Sequence, residues 1–339
     1  MKRNTATFLL LCLAITNFTF AQQKDSSLVN QMLETLQKKY FSFSVIVRNV
    51  ADFQPERTFT GNNGFSVENF RLKISGDLDN GFGYDLEGKL LNSPVITDTK
   101  LYYKLYPELR IDFGMFKVPF SGEYLLGEQY IDFVFRSQAV VQLNPGKQVG
   151  VQLSGAPKDS VFTYAAGIFN GNKLPNENDN NDFLYVGRVT FSPGISSNKS
   201  NIITFGINAA ISKDKSVSIL GSNFDGDRFL IGGDILFRCN KFLFNTEAIY
   251  SNLKNIYGVK TEPFGYQITA GFMMSANTQL LGRWDSFRSD TSIPFRNLGI
   301  FGFNIWPTKV TEVQINYIVP TNDGKLKHHQ LLFNLQFYF

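Results

Sequence analysis

The residues best suited to acid–base or metal chemistry are few in this chain, and their spacing does not assemble a catalytic site. The two histidines, His328 and His329, are adjacent, and neighbouring residues of a strand point to opposite faces. Cys239 is the one cysteine outside the first 21 residues. The sequence contains no HExxH, CxxC or phosphate-cradling glycine motif. We therefore predict no enzyme activity, no catalytic residues, no metal site and no cofactor.

Charged residues instead alternate with apolar residues along much of the chain. In "FRLKIS", Arg71 and Lys73 alternate with Phe70, Leu72 and Ile74. A period of two is typical of a strand with one face toward an apolar medium and the other toward a polar one. The pattern assigns to the polar face the basic residues Arg71, Lys73, Lys89, Lys100, Lys104, Arg110, Arg188, Arg238 and Arg283, and the acidic residues Asp77, Asp85, Glu87, Asp112, Asp234, Glu247, Asp285 and Glu312. In the last strand, Asn334 and Gln336 take the same face and indicate a wet interior.

Strand length separates the two architectures that allow such alternation. Strands of soluble sandwiches average about five or six residues, whereas a tilted membrane-spanning strand needs about 9–11. The alternating segments run to roughly 10–13 residues, which favours a transmembrane barrel over a sandwich. Sixteen strands are predicted, beginning near residues 43, 65, 82, 95, 109, 147, 160, 182, 201, 227, 241, 263, 277, 295, 308 and 328.

Connection lengths favour the same all-β fold, an antiparallel up-and-down barrel. Odd-to-even joins are mostly long and even-to-odd joins mostly short, as outer-membrane barrels show with loops outside and turns in the periplasm. The stretch "KDKSVSILGSNFDGD" is one predicted long loop. An even strand count places both chain ends in the periplasm. Phe337 and Phe339 close the final strand and resemble the C-terminal assembly signal of outer-membrane barrels.

The longest connection runs from about Pro119 to Lys147 and is too apolar to extend into water. It carries Leu125, Leu126, Tyr130, Ile131, Phe133, Val134 and Phe135. A long apolar loop must pack against something. Folding inward would make it the element that narrows the pore; burial at a subunit interface is the alternative.

The sequence around this loop resembles the phosphate-selective porin O and P family. The match is carried by "LRIDFGMFKVPFSGEYL", with further pieces "FRLKISGDLDNGFGYDLEGKL", "GKQVGVQLSG" and "YAAGIFNGN", together covering about residues 65–172. The resemblance implies a sixteen-stranded barrel, usually trimeric, that passes small anions by diffusion. It also implies that the third loop lines the constriction.

One departure from that family affects the expected selectivity. The resemblance implies that the anion-selective members carry a ladder of arginines that face the lumen, with a lysine cluster near the mouth. In this chain, the basic and acidic residues that face the lumen nearly balance. We therefore predict a general porin with slight anion preference or none. The candidate pore-lining or constriction residues are Arg71, Lys73, Lys104, Arg110, Lys117, Glu123, Glu128, Asp132, Arg136, Arg188, Arg238 and Arg283.

The N-terminal residues predict export. Lys2 and Arg3 precede a short apolar run, and "FTFAQQ" provides a cleavage site after Ala21, as in a secretory signal peptide. We predict a signal peptide at 1–21, a short periplasmic helical segment at 22–40 and an outer-membrane barrel at 41–339. Cleavage would leave 31 basic against 29 acidic residues, without the basic block that nucleic-acid binding requires.

The predicted function is a water-filled outer-membrane channel for small hydrophilic solutes. A non-conducting barrel that acts as an adhesin or assembly partner is the alternative. Expected partners are outer-membrane lipid, the barrel-assembly machinery, small solutes or anions, and two further copies of this chain in a homotrimer. No nucleic-acid partner is expected.

Overall fold

The computed structural model describes residues 40–56, 63–91, 95–106, 108–157, 161–172, 178–193, 201–322 and 325–339. The predicted signal peptide and all but the last residue of the predicted helical segment lie outside these residues. Within them, no helix combines the length and the hydropathy needed to cross a membrane.

The described residues form one antiparallel sheet of sixteen long strands and a two-residue strand. The strands are β1 (Ser42–Phe53), β2 (Gly64–Asp77), β3 (Phe82–Lys89), β4 (Val95–Tyr106), β5 (Leu109–Lys117), β6 (Lys147–Gly155), β7 (Phe162–Phe169), β8 (Leu184–Phe191), β9 (Ile202–Ile219), β10 (Ser222–Cys239), β11 (Phe242–Asn255), β12 (Lys260–Thr261), β13 (Phe264–Ser275), β14 (Thr278–Arg288), β15 (Arg296–Thr308), β16 (Thr311–Pro320) and β17 (Gln330–Tyr338). The short β12 pairs only with β11, which also pairs directly with β13. The prediction of a sixteen-stranded barrel is confirmed.

The first and last strands pair with each other and close the sheet into a barrel. Their register runs antiparallel from Ile46 opposite Tyr338 to Phe53 opposite Leu331. The final residue continues this pairing, since the Val45 N–H donates to the Phe339 carbonyl at 2.8 Å and the Phe339 N–H donates back at 3.2 Å. Closure leaves no sheet edge, which a membrane-spanning sheet requires.

The connections at the two ends of the barrel differ in length. Turns 240–241, 276–277 and 309–310 have two residues each and lie at the same end as the start of β1 and the end of β17; we call it the turn end. The opposite, loop end carries connections such as 170–183 and the third loop, residues 118–146.

One predicted long loop is wrong. The stretch from Lys213 to Asp227 is not an irregular loop, because it contains the end of β9 and the start of β10, strands of 18 residues each. They meet in a tight turn at Leu220 and Gly221. The stretch is rich in Ser, Asp and Gly, which the sequence interpretation took as loop signals. Cross-strand pairing nevertheless extends through it, with one irregularity between Phe224 and Gly226.

The third loop turns into the barrel and contains two short helices, α1 (Gly122–Leu125) and α2 (Gln138–Leu143). Phe120, Phe133, Val134 and Val140 are at most 1% exposed, although a loop on an outer surface would leave them in water. The expectation that this apolar connection folds inward is therefore met.

Candidate pore and the loop that occupies it

A glycine marks the place where β5 approaches its neighbour before the chain leaves the wall. Gly114 has a φ of +117°, and a Cβ at this position would lie 1.9 Å from the Thr99 carbonyl oxygen. Only glycine combines that backbone conformation with so close an approach. Three residues later β5 ends at Lys117, and the third loop begins.

Apolar side chains of the loop pack against inward-facing apolar side chains of the wall in two clusters. The first joins Phe120, Val140 and Leu143 of the loop to wall residues that include Phe169, Leu184 and Leu230. The second joins Phe133 and Val134 to wall residues that include Val50, Leu281, Leu298 and Leu332. Burial of this kind stabilises by roughly 25 cal/mol per Å² of apolar surface. The loop is thus held inside the lumen by a hydrophobic core.

Polar side chains of the wall bind the backbone of the buried loop. Because a buried backbone group must find a partner, a loop without its own ladder needs donors and acceptors from its surroundings. The Val134 N–H donates to Asn316 Oδ1 at 2.8 Å, and an Arg48 guanidinium nitrogen donates to the Val134 carbonyl at 2.6 Å. Three side-chain amides donate to other loop carbonyls: Gln314 to Ile131 (2.8 Å), Asn304 to Asp132 (2.8 Å) and Gln336 to Gln129 (3.2 Å).

These contacts correct the expectation that Asn334 and Gln336 face water. Both are 1% exposed and lie beneath the loop. Asn334 Nδ2 donates to Gln314 Oε1 at 2.9 Å, and Gln336 Nε2 donates to Glu312 at 2.5 Å. Their alternation toward the interior is as predicted, but their side chains meet protein rather than solvent.

A buried ion pair fixes the two arms of the loop to the wall. Glu123, on α1, lies 2.8 Å from Arg283 of β14, and both side chains are 3% exposed. The same carboxylate accepts the N–H (3.1 Å) and the hydroxyl (2.6 Å) of Ser137, which precedes α2. Glu247 of β11 accepts the Glu123 N–H at 2.9 Å. Glu123 therefore acts as a junction between the loop arms rather than as an exposed constriction group.

A second carboxylate ties the loop tip to the opposite wall. Glu128 lies 2.7 Å from Arg71, 3.6 Å from Arg48 and 3.9 Å from Arg136, and Asn69 also donates to it. Burial alone raises the pKa of the Glu128 carboxyl, but the three guanidiniums outweigh it and hold the pKa below its usual value. Glu128 is thus an ionised latch between the loop and β1–β2.

Two basic residues at the neck of the loop, Lys117 and Arg136, donate to carbonyl groups of the loop backbone. Lys117 Nζ donates to the Tyr124 and Leu126 carbonyls at 2.6 and 2.7 Å. Arg136 donates to the same Leu126 carbonyl at 2.8 Å. Both cations lie over the Tyr124 ring, 5.0 and 5.6 Å from its centroid. Of the two, Lys117 also borders the space that the loop leaves free.

That free space is a cavity of about 950 Å³ on the side of the barrel formed by β1–β8 and the end of β17, which we call the main cavity. Its charged lining consists of Arg71, Lys73, Lys100, Arg110, Lys117, Lys147 and Arg188, with Asp85, Glu87, Asp98, Asp112 and Glu128. The seven basic and five acidic side chains are largely paired. Asp85, for example, lies between Lys73 (3.0 Å) and Lys100 (2.6 Å).

The lining groups form a connected series from the loop to the wall. Glu128 contacts Arg71, Arg71 contacts Glu87 at 3.1 Å, and Lys147 bridges Glu87 (2.9 Å) and Asp98 (2.8 Å). Opposite charges within 4 Å stabilise each other in this partly buried setting. The lumen surface therefore carries many charged side chains, but its net charge is only slightly positive.

The structure distributes the predicted site residues among several places. Those that line the main cavity are Arg71, Lys73, Arg110, Lys117, Glu128 and Arg188. Asp132 and Arg238 line a second cavity of about 580 Å³ near the turn end, the side cavity, and Arg136 borders a third of about 220 Å³. Glu123 and Arg283 are buried together. Lys104 pairs with Asp77 at 2.7 Å, and both are well exposed.

Sequence reasoning missed Arg48, Asn69 and the amides that hold the loop backbone. A signal existed for Arg48, which interrupts the apolar run "SVIVRNV" on the inward face. For Asn304, Gln314 and Asn316 the sequence offered only the alternation pattern. That pattern predicts that a side chain faces the interior, but it does not tell whether the side chain meets solvent or a packed loop.

Solved structures with a similar fold include porins and other outer-membrane proteins. An anion-selective porin from Comamonas acidovorans superimposes with a TM-score of 0.66 at 11% identity, covering 88% of this chain and 99% of the other. The outer-membrane OmpT of Vibrio cholerae gives 0.64 at 12% identity, covering 88% and 97%. OprB of Pseudomonas putida gives 0.62 at 11%, covering 91% and 97%. At such identities the likeness establishes the fold alone.

The family assignment comes from the sequence itself. No curated protein sequence matches the chain. The profile described as "Phosphate-selective porin O and P" matches residues 45–233, from β1 to within β10, and so includes the third loop and every charged residue of the main cavity. The chain belongs to the phosphate-selective porin O and P family.

Proposed function

We propose that this outer-membrane diffusion channel passes small hydrophilic solutes and ions through the main cavity, with a weak preference for anions. The observation that carries the proposal is the charged lining of that cavity, where basic groups slightly exceed acidic ones and most are neutralised by a partner within 4 Å. Paired charges keep a lumen hydrated without concentrating one sign of ion. A strongly phosphate-selective site would need several cations free of carboxylates.

The proposal also includes assembly into a homotrimer and a role without enzyme activity. The trimer is supported by a structural relative, OmpT of Vibrio cholerae, whose solved structures include a trimer form. The fold and the family indicate a channel rather than an enzyme. Insertion by the barrel-assembly machinery and export by a cleaved signal peptide complete the proposal.

Reversal potentials in a salt gradient across planar bilayers test the ion preference directly. We expect ohmic conductance with a small anion-directed potential. Replacing the neck cation by Lys117→Gln should shift the potential toward cations, whereas Lys104→Gln, at the exposed pair with Asp77, should shift it less. A large anion preference that survives Lys117→Gln, or a cation preference of the unaltered protein, would contradict the proposal.

The depth of loop packing supports the second candidate, a non-conducting barrel that acts as an adhesin or assembly partner. Phe120, Phe133, Val134 and Val140 fill much of the lumen with protein. This candidate predicts no conductance from folded, heat-modifiable protein until residues 122–141 are deleted. Conductance of the unaltered protein decides against it.

A further inference from the structure

The β9–β10 hairpin is longer than a membrane crossing requires. Each strand has 18 residues, against the about 9–11 that a tilted membrane-spanning strand needs. Apolar residues such as Ile207 and Ile211 are exposed on the outer wall of β9. Farther along, the exposed charges of Lys213 and Asp227 face each other across the ladder. The remainder of the hairpin, residues 215–226, therefore lies beyond the apolar band at the loop end.

A bulge changes which residues of the hairpin face inward. The ladder register shifts between Phe224 and Gly226, where Gly226 has a φ of +146°. Ser216, with a φ of +52°, donates its N–H to Asp225 Oδ1 at 2.9 Å. Before the bulge, the buried inward residues are the ion-paired Asp214 and Arg228, 2.8 Å apart. Bulges of this kind bend a strand and re-aim its side chains.

Beyond the bulge the inward face is apolar, although the hairpin has left the membrane. Val217 and Ile219 are 2% and 5% exposed and cluster with Leu253 of β11. Phe224 and the turn residue Leu220 pack against this cluster. An upright hairpin would expose such a face to water, so its burial indicates that the tip is seated on the barrel mouth.

Leu220 joins the hairpin tip to the hydrophobic core that the third loop shares with the barrel wall. It packs against the core that contains Phe120, Val140 and Leu143 of the loop as well as against the hairpin's own cluster.

The connection between β7 and β8 also forms hydrogen bonds with the hairpin. Asn180 donates to the Lys213 carbonyl at 2.8 Å, and Lys215 donates to the Asp179 carbonyl at 3.2 Å.

We propose, building on the channel function above, that residues 215–226 form a lid over the entrance to the loop-filled part of the lumen. Leu220 is its apolar anchor, and the lid keeps the third loop seated in the barrel. Displacing the lid lets water and solutes reach the loop core and lets the loop fluctuate. The lid therefore sets how steady the pore is, while the lining of the main cavity sets which ions pass.

Leu220→Asp tests the lid, because a carboxylate cannot remain in the apolar contact. Ile256→Asp is the matched control, since Ile256 lies in the next connection at the loop end and is 65% exposed. Both variants are made in a Cys239→Ser, Ala139→Cys background. Ala139 is 2% exposed and belongs to the loop core, so labelling by a membrane-impermeant maleimide reports access beneath the lid. Heat-modifiability verifies folding of each protein.

We expect labelling to accelerate at least about tenfold in Leu220→Asp and to stay at the background rate in Ile256→Asp. In planar bilayers Leu220→Asp should also show frequent current fluctuations that the control lacks. Equal labelling and equal current noise in the two folded variants would overturn the lid. Labelling does not need a conducting protein, so absent conductance with lid-dependent labelling would refute the channel and retain the lid.

Discussion

Glu128 is the residue at which charge and loop position are most directly coupled. Its carboxylate joins the loop tip to Arg71 and Arg48 of the wall and to Arg136 of the loop. A partly buried carboxylate with several guanidinium partners contributes more than an exposed pair, because removing it leaves cations desolvated and unpaired.

Glu128→Gln should loosen the latch, destabilise the loop by about 1–3 kcal/mol and increase current noise in planar bilayers. Glu56→Gln is the matched control, because Glu56 forms an exposed ion pair with Lys327, and exposed pairs contribute at most about 1 kcal/mol. Indistinguishable currents from the two variants would show that Glu128 does not hold the loop.

The pH dependence of this latch follows from the lowered pKa of Glu128. A carboxyl with a depressed folded-state pKa stabilises above its ordinary value of 4.5 and loses that contribution as pH falls through the lower folded value. The difference in current noise between the unaltered protein and Glu128→Gln should therefore persist from pH 7 to pH 4.5 and vanish only at lower pH. Convergence already near pH 6 would contradict the assignment.

Arg283 is the second residue whose removal should be costly. Arg283→Ala leaves Glu123 buried without its cation, and breaking a buried pair in this way costs about 3–5 kcal/mol. We expect a lower midpoint of urea unfolding, followed by the heat-modifiable gel shift, with partial recovery in Arg283→Met combined with Glu123→Gln. Arg296→Ala, at the exposed start of β15, should lower the midpoint much less, because exposed charged side chains contribute at most about 1 kcal/mol. An equally large loss in Arg296→Ala would show that the effect of Arg283→Ala is not specific to the buried pair.

Among the elements, β17 carries both closure of the barrel and the predicted assembly signal. Its side chains alternate between lipid and interior, with Phe333, Leu335 and Phe337 exposed and Asn334 and Gln336 buried. Phe339 continues the pairing through its backbone bonds to Val45 and is 65% exposed. The ring of the last residue is thus exposed while its backbone is part of the sheet.

Deleting Phe339 removes two hydrogen bonds at the seam between β1 and β17 together with the terminal aromatic ring. We expect normal export but a several-fold loss of heat-modifiable, membrane-inserted protein, measured by immunoblot of membrane fractions. Phe339→Tyr, which keeps the ring and the backbone bonds, should assemble normally. Full insertion of the deletion protein would show that the terminal residue is dispensable.

At the scale of the whole molecule, the third loop divides the lumen into a filled part and the main cavity. The filled part combines apolar packing with side-chain bonds to the loop backbone, so the loop is part of the core rather than an attachment to it. Water would have to replace both sets of contacts if the loop were absent.

Deleting residues 122–141 should raise single-channel conductance several-fold and reduce stability. Conductance rises because the filled part of the lumen becomes aqueous, and stability falls because Gln314 and Asn316 lose the loop backbone as their partner. Planar bilayers measure the first effect and urea unfolding of heat-modifiable protein the second. Unchanged conductance in a folded deletion protein would place the constriction outside the loop.

Alternation and connection lengths were sufficient to predict the barrel. The alternation that marks a strand is a property of adjacent residues and can be read locally. Fifteen of the sixteen predicted strand starts accordingly fall within three residues of those observed. The exception is β10, which begins at Ser222 rather than near 227 because hydrogen bonding to β9 overrides the turn-forming composition of the tip. The third loop's inward course followed from its apolar composition in the same local way.

The sequence by itself determined the sheet, its closure, the face of most of the charged side chains in the strands and the resemblance to the porin family. Only the tertiary structure decided which inward residues line free space and which hold protein. That distinction depends on contacts such as Asn316 with Val134, separated by 182 residues, and on the direction in which one bulge bends the β9–β10 hairpin. A period of two encodes a face, but what meets that face is fixed by long-range packing.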